Sequence, residues 1–200
     1  TTSYDPATDT TTWTDISGNS NDATLTSLTN TNHDIDNGGY FEFDGANDYA
    51  SISATNTSPI NFTDEAFTLE AWVNVGTFGV YEGIISRWNS GGFQFRLNLG
   101  DTSPYKNFEY VERTSSNTNA TFASSTTLEA NRWYHLVVTR SATQVTMYID
   151  GEQDFQSSAT NDIRDETSSA IRIGHIQDGP YSFDGKMGAV RIYSKQLSAS

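Results

Sequence analysis

Two runs of alternating apolar and polar residues lie almost back to back in this chain. The first is Asn131-Arg132-Trp133-Tyr134-His135-Leu136-Val137-Val138-Thr139-Arg140, and the second runs from Thr143 to Ile149 and ends in Asp150-Gly151. A period of two places successive side chains on opposite faces of an extended chain, and Asp-Gly supplies the positive φ that a tight hairpin turn requires. The stretch therefore predicts antiparallel strands closed by a turn.

The same pattern recurs along the chain. Gly39 to Phe43, Asp48 to Ser53, Ala66 to Val75, Gly83 to Trp88, Gly92 to Leu99, Lys106 to Glu112, Ala170 to His175 and Lys186 to Tyr193 all read as strands, separated by clusters of Gly, Asn, Asp and Ser. From Ala66 to Val75, Phe67, Leu69, Ala71 and Val73 share one face while Glu70 and Trp72 share the other. From Gly92 to Leu99, Phe93, Phe95, Leu97 and Leu99 oppose Gln94, Arg96 and Asn98. Such faces need a partner sheet, and helical periodicity is almost absent, so the fold expected is all-β: a jelly-roll β-sandwich of two antiparallel sheets. With 200 residues and no dividing linker, residues 1–200 are expected to form a single domain. Thr1 to Thr12 and the acidic segment Asn161 to Glu166 are read as surface loops, and Thr114 to Ala120 as a polar Ser/Thr/Asn stretch between strands.

Charge excludes some functions. Acidic residues number 25 against 11 basic ones, a net charge of -14 that repels nucleic acid and anionic membrane surfaces. No run of about twenty apolar residues is present to insert into a bilayer as a helix. Without cysteine there is no disulfide, thiolate metal site or thiol nucleophile.

Chemistry concentrates in the loops. Asp15-Ile16-Ser17-Gly18-Asn19-Ser20-Asn21-Asp22 is rich in the carboxylate and amide oxygens that calcium takes, and Gly18 lets the backbone wrap an ion; the same residues also suit Asx turns that need no metal. Asp44-Gly45, Asp150-Gly151 and Asp184-Gly185 are read first as turns. Two groups combine aromatic planes with directional polar groups, the combination that ligand sites use. They are Tyr81, Arg87, Trp88 and Asn89, and the later set His175, Gln177, Asp178 and Tyr181. Packing of Trp88 and Tyr181 over sheet ends is the competing account. Trp13, Trp72 and Trp133 are read as structural, and Arg96 and Arg132 as partners of acidic residues.

Several segments, in order, resemble laminin G-like domains of the concanavalin A-like lectin/glucanase superfamily, in the style of bacterial and phage structural or surface proteins. They are Trp13-Thr14-Asp15-Ile16-Ser17-Gly18-Asn19-Ser20-Asn21, Tyr40-Phe41-Glu42-Phe43-Asp44-Gly45, Phe67-Thr68-Leu69-Glu70-Ala71-Trp72-Val73, the hairpin from Asn131, and Phe183-Asp184-Gly185-Lys186-Met187-Gly188-Ala189-Val190-Arg191-Ile192-Tyr193. The resemblance implies a concanavalin A-like sandwich. It also implies a structural calcium at its edge where the early loop meets the Phe-Asp-Gly turn, with Asp15, Asn19, Asn21 and Asp184 as ligands. The apolar strand that usually opens the family is represented only by Tyr4-Asp5-Pro6-Ala7, so the chain is expected to be a module of a longer protein.

The superfamily also contains glucanases, but neither Glu-x-Asp-x-x-Glu nor Glu-x-Asp-x-Glu occurs, and His33, His135 and His175 are widely spaced. The function expected is thus a non-catalytic recognition or adhesion module, directed at a glycan, in an extracellular, cell-surface or virion protein. The alternative is a structural or decoration domain that binds neighbouring protein subunits of a larger assembly such as a capsid, tail, filament or surface layer. A glycoside hydrolase ranks third.

Overall fold

The period-two pattern from Phe67 to Val75 sorts as its chemistry requires: Phe67, Leu69, Ala71, Val73 and Val75 are fully buried, whereas Trp72 on the opposite face is 42% exposed. The computed structural model describes residues 3–5, 7, 10–56, 66–89, 91–99, 106–159, 163–177 and 179–198. Its strands are β1 (Thr12–Trp13), β2 (Ala23–Thr26), β3 (His33–Asp34), β4 (Tyr40–Asp44), β5 (Tyr49–Ile52), β6 (Phe67–Val75), β7 (Glu82–Trp88), β8 (Gly92–Leu99) and β9 (Lys106–Arg113). There follow β10 (Asn119–Ala123), β11 (Trp133–Ser141), β12 (Gln144–Ile149), β13 (Glu152–Ser158), β14 (Ile171–Ile173), β15 (His175–Ile176), β16 (Tyr181–Ser182) and β17 (Asp184–Tyr193).

They form an eight-stranded sheet ordered β1-β2-β5-β14-β7-β8-β9-β10, a seven-stranded sheet ordered β13-β12-β11-β6-β17-β4-β3, and a small β15-β16 hairpin. The recorded pairings are antiparallel. The inner faces supply the core. Phe41, Phe43, Phe67, Leu69, Leu136, Val138 and Met147 from one sheet meet Ile85, Phe93, Phe95, Leu97, Phe108 and Tyr110 from the other. Phe67 touches both Phe93 and Tyr110 with ring centroids 6.0 Å apart, so its ring spans the sandwich.

One charged pair lies inside this layer. Arg140 and Glu112 are 0% and 1% exposed at the side chain, and Arg140 donates from Nε and Nη2 to the two Glu112 oxygens at 3.1 Å each. Tyr110 donates its hydroxyl to the same carboxylate at 2.9 Å. The pair is satisfied on both sides, as burial of charge demands.

Three sequence expectations need correction. The polar stretch Thr114 to Ala120 runs into β10, paired with β9 from Asn119↔Arg113 onward. Of the acidic segment, Asn161 and Asp162 lie outside the described residues, and Glu166 is 5% exposed. Its Oε1 accepts from the Ser168 and Ser169 N–H groups at 3.0 Å each, which is why a carboxylate can be buried there. The third concerns Trp72, whose exposure sets it apart from a purely structural tryptophan.

Candidate functional site on the outer face of the eight-stranded sheet

Antiparallel register assembles the outer face of this sheet in rows. Arg172 pairs with Ser86, Ser86 with Gln94 and Gln94 with Val111; Arg96 pairs with Glu109 and Asn98 with Asn107; Trp88 pairs with Gly92 at the start of β8. Gly92 has φ +88, and a side chain there would begin 2.0 Å from the Arg87 carbonyl oxygen, so this position accepts only glycine. In the middle of the face Arg96 is fixed from three sides. It donates from Nε to Glu109 at 2.9 Å and from Nη1 to Gln94 at 2.6 Å, and its guanidinium lies 4.1 Å from the centre of the Tyr81 ring. Asn98 donates to the other Glu109 oxygen at 2.8 Å. Asn98 Oδ1 and Asn107 Oδ1 are buried without a partner.

The β15-β16 hairpin folds over this face. Ser86 donates to the His175 carbonyl oxygen at 2.8 Å, and Trp88, Val111 and Ile176 form a small second core with Tyr81 and Tyr181 packed on its rim. Tyr81 and Tyr181 meet edge to face at 5.6 Å. Tyr81 holds φ +60, a conformation rare for an aromatic residue, so the backbone is committed to placing that ring. His175 packs 5.5 Å from Tyr49 and takes a 3.1 Å hydrogen bond with Arg172; burial, then the Arg172 charge, lowers its pKa from the usual histidine value.

Two separate groups of ligand candidates thus meet: Tyr81 from the first and Tyr181 from the second border one patch, while His175, on the same hairpin, turns its ring to Tyr49 and Arg172. Asn89 is exposed beside it. Asp178 lies outside the described residues. Arg87 and Trp88 require correction. Arg87 is 2% exposed and donates from Nε to the Ser169 carbonyl at 3.0 Å, so it ties β7 to the segment leading into β14 instead of facing a ligand. Trp88 is 6% exposed beneath the guanidinium of Arg113, 4.8 Å from its ring centre, and supports the patch from below. Arg96 and Glu109 belong to the patch and were legible only as an ordinary ion pair; the signal was Gln94-x-Arg96-x-Asn98, a polar face on a strand with neighbours on both sides.

The four residues expected around calcium divide between two cavities. Asp15, Asn19 and Asn21 border a space of about 540 Å³ that also meets Trp13, Ile52, Ile173, Val190 and Ile192. Asp184 borders a different one of about 250 Å³ together with Asp44 and Glu82. In the early loop Asp15 accepts from the Ser17 and Asn21 N–H groups at 2.8 and 2.9 Å, and Asp22 accepts from the Asp15 N–H at 2.7 Å. Burial pushes the Asp15 pKa up, but the Ser17 and Asn21 hydrogen bonds outweigh it and the net shift is downward. These are Asx-turn contacts that close the loop with its own donors. The loop and Asp184 therefore do not make one four-residue cage.

The Asp184 cavity is lined by carboxylates of a different character. Glu82 is 4% exposed; its Oε1 accepts from the Gly79 N–H at 2.6 Å, and its Oε2 has no partner. Burial, opposed by that bond and aided by Asp184, pushes its pKa up to about 8. Side-chain atoms at Gly45 and Gly76 would stand 3.0 and 2.9 Å from the Asp184 side chain, so both glycines leave it room. Among the described residues no three Asp, Glu, His or Cys side chains converge closely enough to hold a metal by themselves, so a cation here would draw also on carbonyl and water oxygens.

A sequence profile of the concanavalin A-like lectin/glucanases superfamily matches residues 44–200. The chain belongs to this superfamily. The fold is similar to that of the binding domain of Paraclostridial Mosquitocidal Protein 1, with a TM-score of 0.72 and 18% identity over 93% of this chain and 47% of that one. It is similar also to the receptor binding domain of botulinum neurotoxin C/D mosaic serotype, with a TM-score of 0.68 and 16% identity over 93% and 46%. Domain 4 of AbnA, a GH43 extracellular arabinanase from Geobacillus stearothermophilus solved with arabinotriose, gives a TM-score of 0.65 and 14% identity over 87% and 78%. At these identities the likeness is one of fold, and the chain spans under half the length of the first two structures. No curated protein matches the chain in sequence.

Proposed function

We propose that this superfamily member is a non-catalytic glycan-binding module of an extracellular, cell-surface or virion protein, and that it takes its ligand on the patch around Tyr81, Tyr181, Arg96 and His175. The observation that carries this reading is the half-exposed tyrosine pair, held edge to face and braced by Arg96 stacked 4.1 Å from the Tyr81 ring centre. A sugar ring packs its C–H face on an aromatic plane while its hydroxyls need fixed donors and acceptors, and rings held in advance lose little entropy on binding. Neighbours of the same fold include toxin binding domains and an arabinanase domain solved with arabinotriose, which supports a recognition role. The test is a glycan array followed by calorimetry. Tyr81→Ala and Tyr181→Ala should each weaken the best ligand about tenfold or more, the loss of about 1.4 kcal/mol of contact. Unchanged affinity in both variants would sink the assignment of this patch.

We also propose a structural calcium at Asp184, with Glu82 and Asp44 beside it, in place of the early loop. The unpartnered buried Glu82 oxygen supports it. A bound cation would favour the ionised carboxylate and tie β17 to the turn after β4. Millimolar calcium should raise the melting temperature relative to chelator, and the rise should vanish in Asp184→Asn; identical melting curves in calcium and chelator would contradict it.

A second reading, docking of a protein subunit, is favoured by one observation. The larger cavity is lined by Val190, Ile192, Ile52 and Ile173, and Ile16 at its rim is 63% exposed. Co-sedimentation of the domain with assembled particles, lost in Ile16→Asp, would support it.

A further inference from the structure

Beside the tyrosine patch, two guanidinium groups converge on one residue. Arg113 donates from Nη1 to the Asn117 backbone oxygen at 3.5 Å, and Arg164 donates from Nη1 to Asn117 Oδ1 at 3.0 Å. The two arginines are locked together through the main chain: the Arg164 N–H donates to the Arg113 carbonyl at 2.7 Å, and Thr114 bridges Ile163. Arg113 lies over the Trp88 indole, which packs against the cluster carrying Tyr81 and Tyr181, so the arginine pair continues the same surface. Both arginines are partly exposed.

The informative point is their lack of a carboxylate partner among the described residues. The chain holds 25 acidic residues against 11 basic ones, and Arg96, Arg132, Arg140 and Arg191 all have carboxylate partners. Among the described residues neither Arg113 nor Arg164 makes an ion pair. Two like charges held on two oxygens of one residue repel each other, and a shared anion would turn that repulsion into attraction. Guanidinium forks recognise the planar oxygens of carboxylate and the oxygens of sulfate by paired, charge-assisted hydrogen bonds. Hydroxyls of the Thr114, Ser116 and Thr118 network, bonded at 2.8 and 2.9 Å from Thr114, flank the pair.

We propose that Arg113 and Arg164 form an anion subsite that selects acidic sugars, taking the carboxylate or sulfate of a uronic acid or sulfated glycan whose neighbouring unit rests on the tyrosine patch. This inference rests on the glycan reading above and adds the ligand's chemical class. Against a net charge of -14, the paired arginines are a local cationic site.

The test pairs each acidic oligosaccharide with a neutral counterpart: oligogalacturonate with its methyl ester, and a sulfated galactan with its desulfated form, all titrated by calorimetry into the intact domain. The acidic member of a pair should bind about tenfold or more tighter, and Arg113→Gln and Arg164→Gln should each remove that preference while leaving the neutral member within about twofold. Arg164→Lys, which keeps the charge and loses the fork, should recover only part of it. Equal binding of acidic and neutral members, or a preference that survives both substitutions, would overturn the subsite while leaving glycan binding in place. No binding of any sugar would remove both readings, and binding confined to phosphatidylserine vesicles would replace them with a membrane surface. The comparison on the unsubstituted domain stands even if a variant fails to fold.

Discussion

Glu82 is a carboxylate held 4% exposed with one oxygen bonded to the Gly79 N–H and the other to nothing, and its pKa rises to about 8. In the unfolded chain it would titrate near 4.5. Between those values the folded protein keeps a proton that the unfolded chain has lost, so stability is full below about pH 4.5 and falls as pH rises through 8. The slope from this one group is at most about 1.4 kcal/mol per pH unit. Melting in chelator from pH 5 to 8 should show that decline, and Glu82→Gln, which keeps shape and cannot ionise, should flatten it and be the more stable protein at pH 8. Parallel curves would contradict the assignment. The sequence showed Glu82 only as the residue before a strand. The cavity it borders is shared with residues far away in the chain, Asp184 and Pro180 among them, whose approach no local pattern encodes.

At the scale of elements, the hairpin strands followed from local rules. β11 and β12 pair from Leu136↔Ile149 to Ser141↔Gln144, and β12 turns into β13 through Asp150 and Gly151 at φ +52 and +87. Two successive positive φ values define the turn that Asp-Gly prefers. Asp150 also accepts from the His135 N–H at 2.9 Å, so the turn is tied to β11 as well. Gly151→Ala has open space for its methyl group but the wrong φ, and should cost about 1 kcal/mol in urea unfolding with the fold retained. A neutral or stabilising result would refute the turn. β13 escaped the sequence reading because Glu152–Ser158 is an edge strand with few apolar residues and mixed exposure, so it carries almost no period-two signal. The break in register between Met187 and Val190 in β17 was equally silent.

For the molecule as a whole, the two sheets are joined by apolar packing and by the Arg140–Glu112 ion pair, which neither sheet could satisfy alone. Arg140 comes from the seven-stranded sheet and Glu112 from the eight-stranded one. Arg140→Met leaves Glu112 buried without its cation and should destabilise the domain by about 3–5 kcal/mol, whereas the double replacement Arg140→Met with Glu112→Leu should recover most of that loss. Chemical denaturation of the single and double variants checks it; equal losses in both would show that the ion pair is not the cause.

The sequence by itself determined where most of the longer strands run, which face of them is apolar, and hence a two-sheet sandwich, because alternation and Asp-Gly turns act over a few neighbouring residues. It also marked Tyr81, His175 and Tyr181 as ligand candidates by residue type. Only the tertiary structure decided that Tyr81 and Tyr181 share one patch while His175 turns to Tyr49 and Arg172, that Arg87 and Trp88 lie beneath the surface, and that Asp15 and Asp184 border different cavities. It also brought Arg113 and Arg164, fifty-one positions apart in the numbering, onto a single asparagine. The reason is physical: faces are set by the period of one strand, whereas sites are set by register between strands distant in sequence, and register is fixed only when the whole sandwich packs.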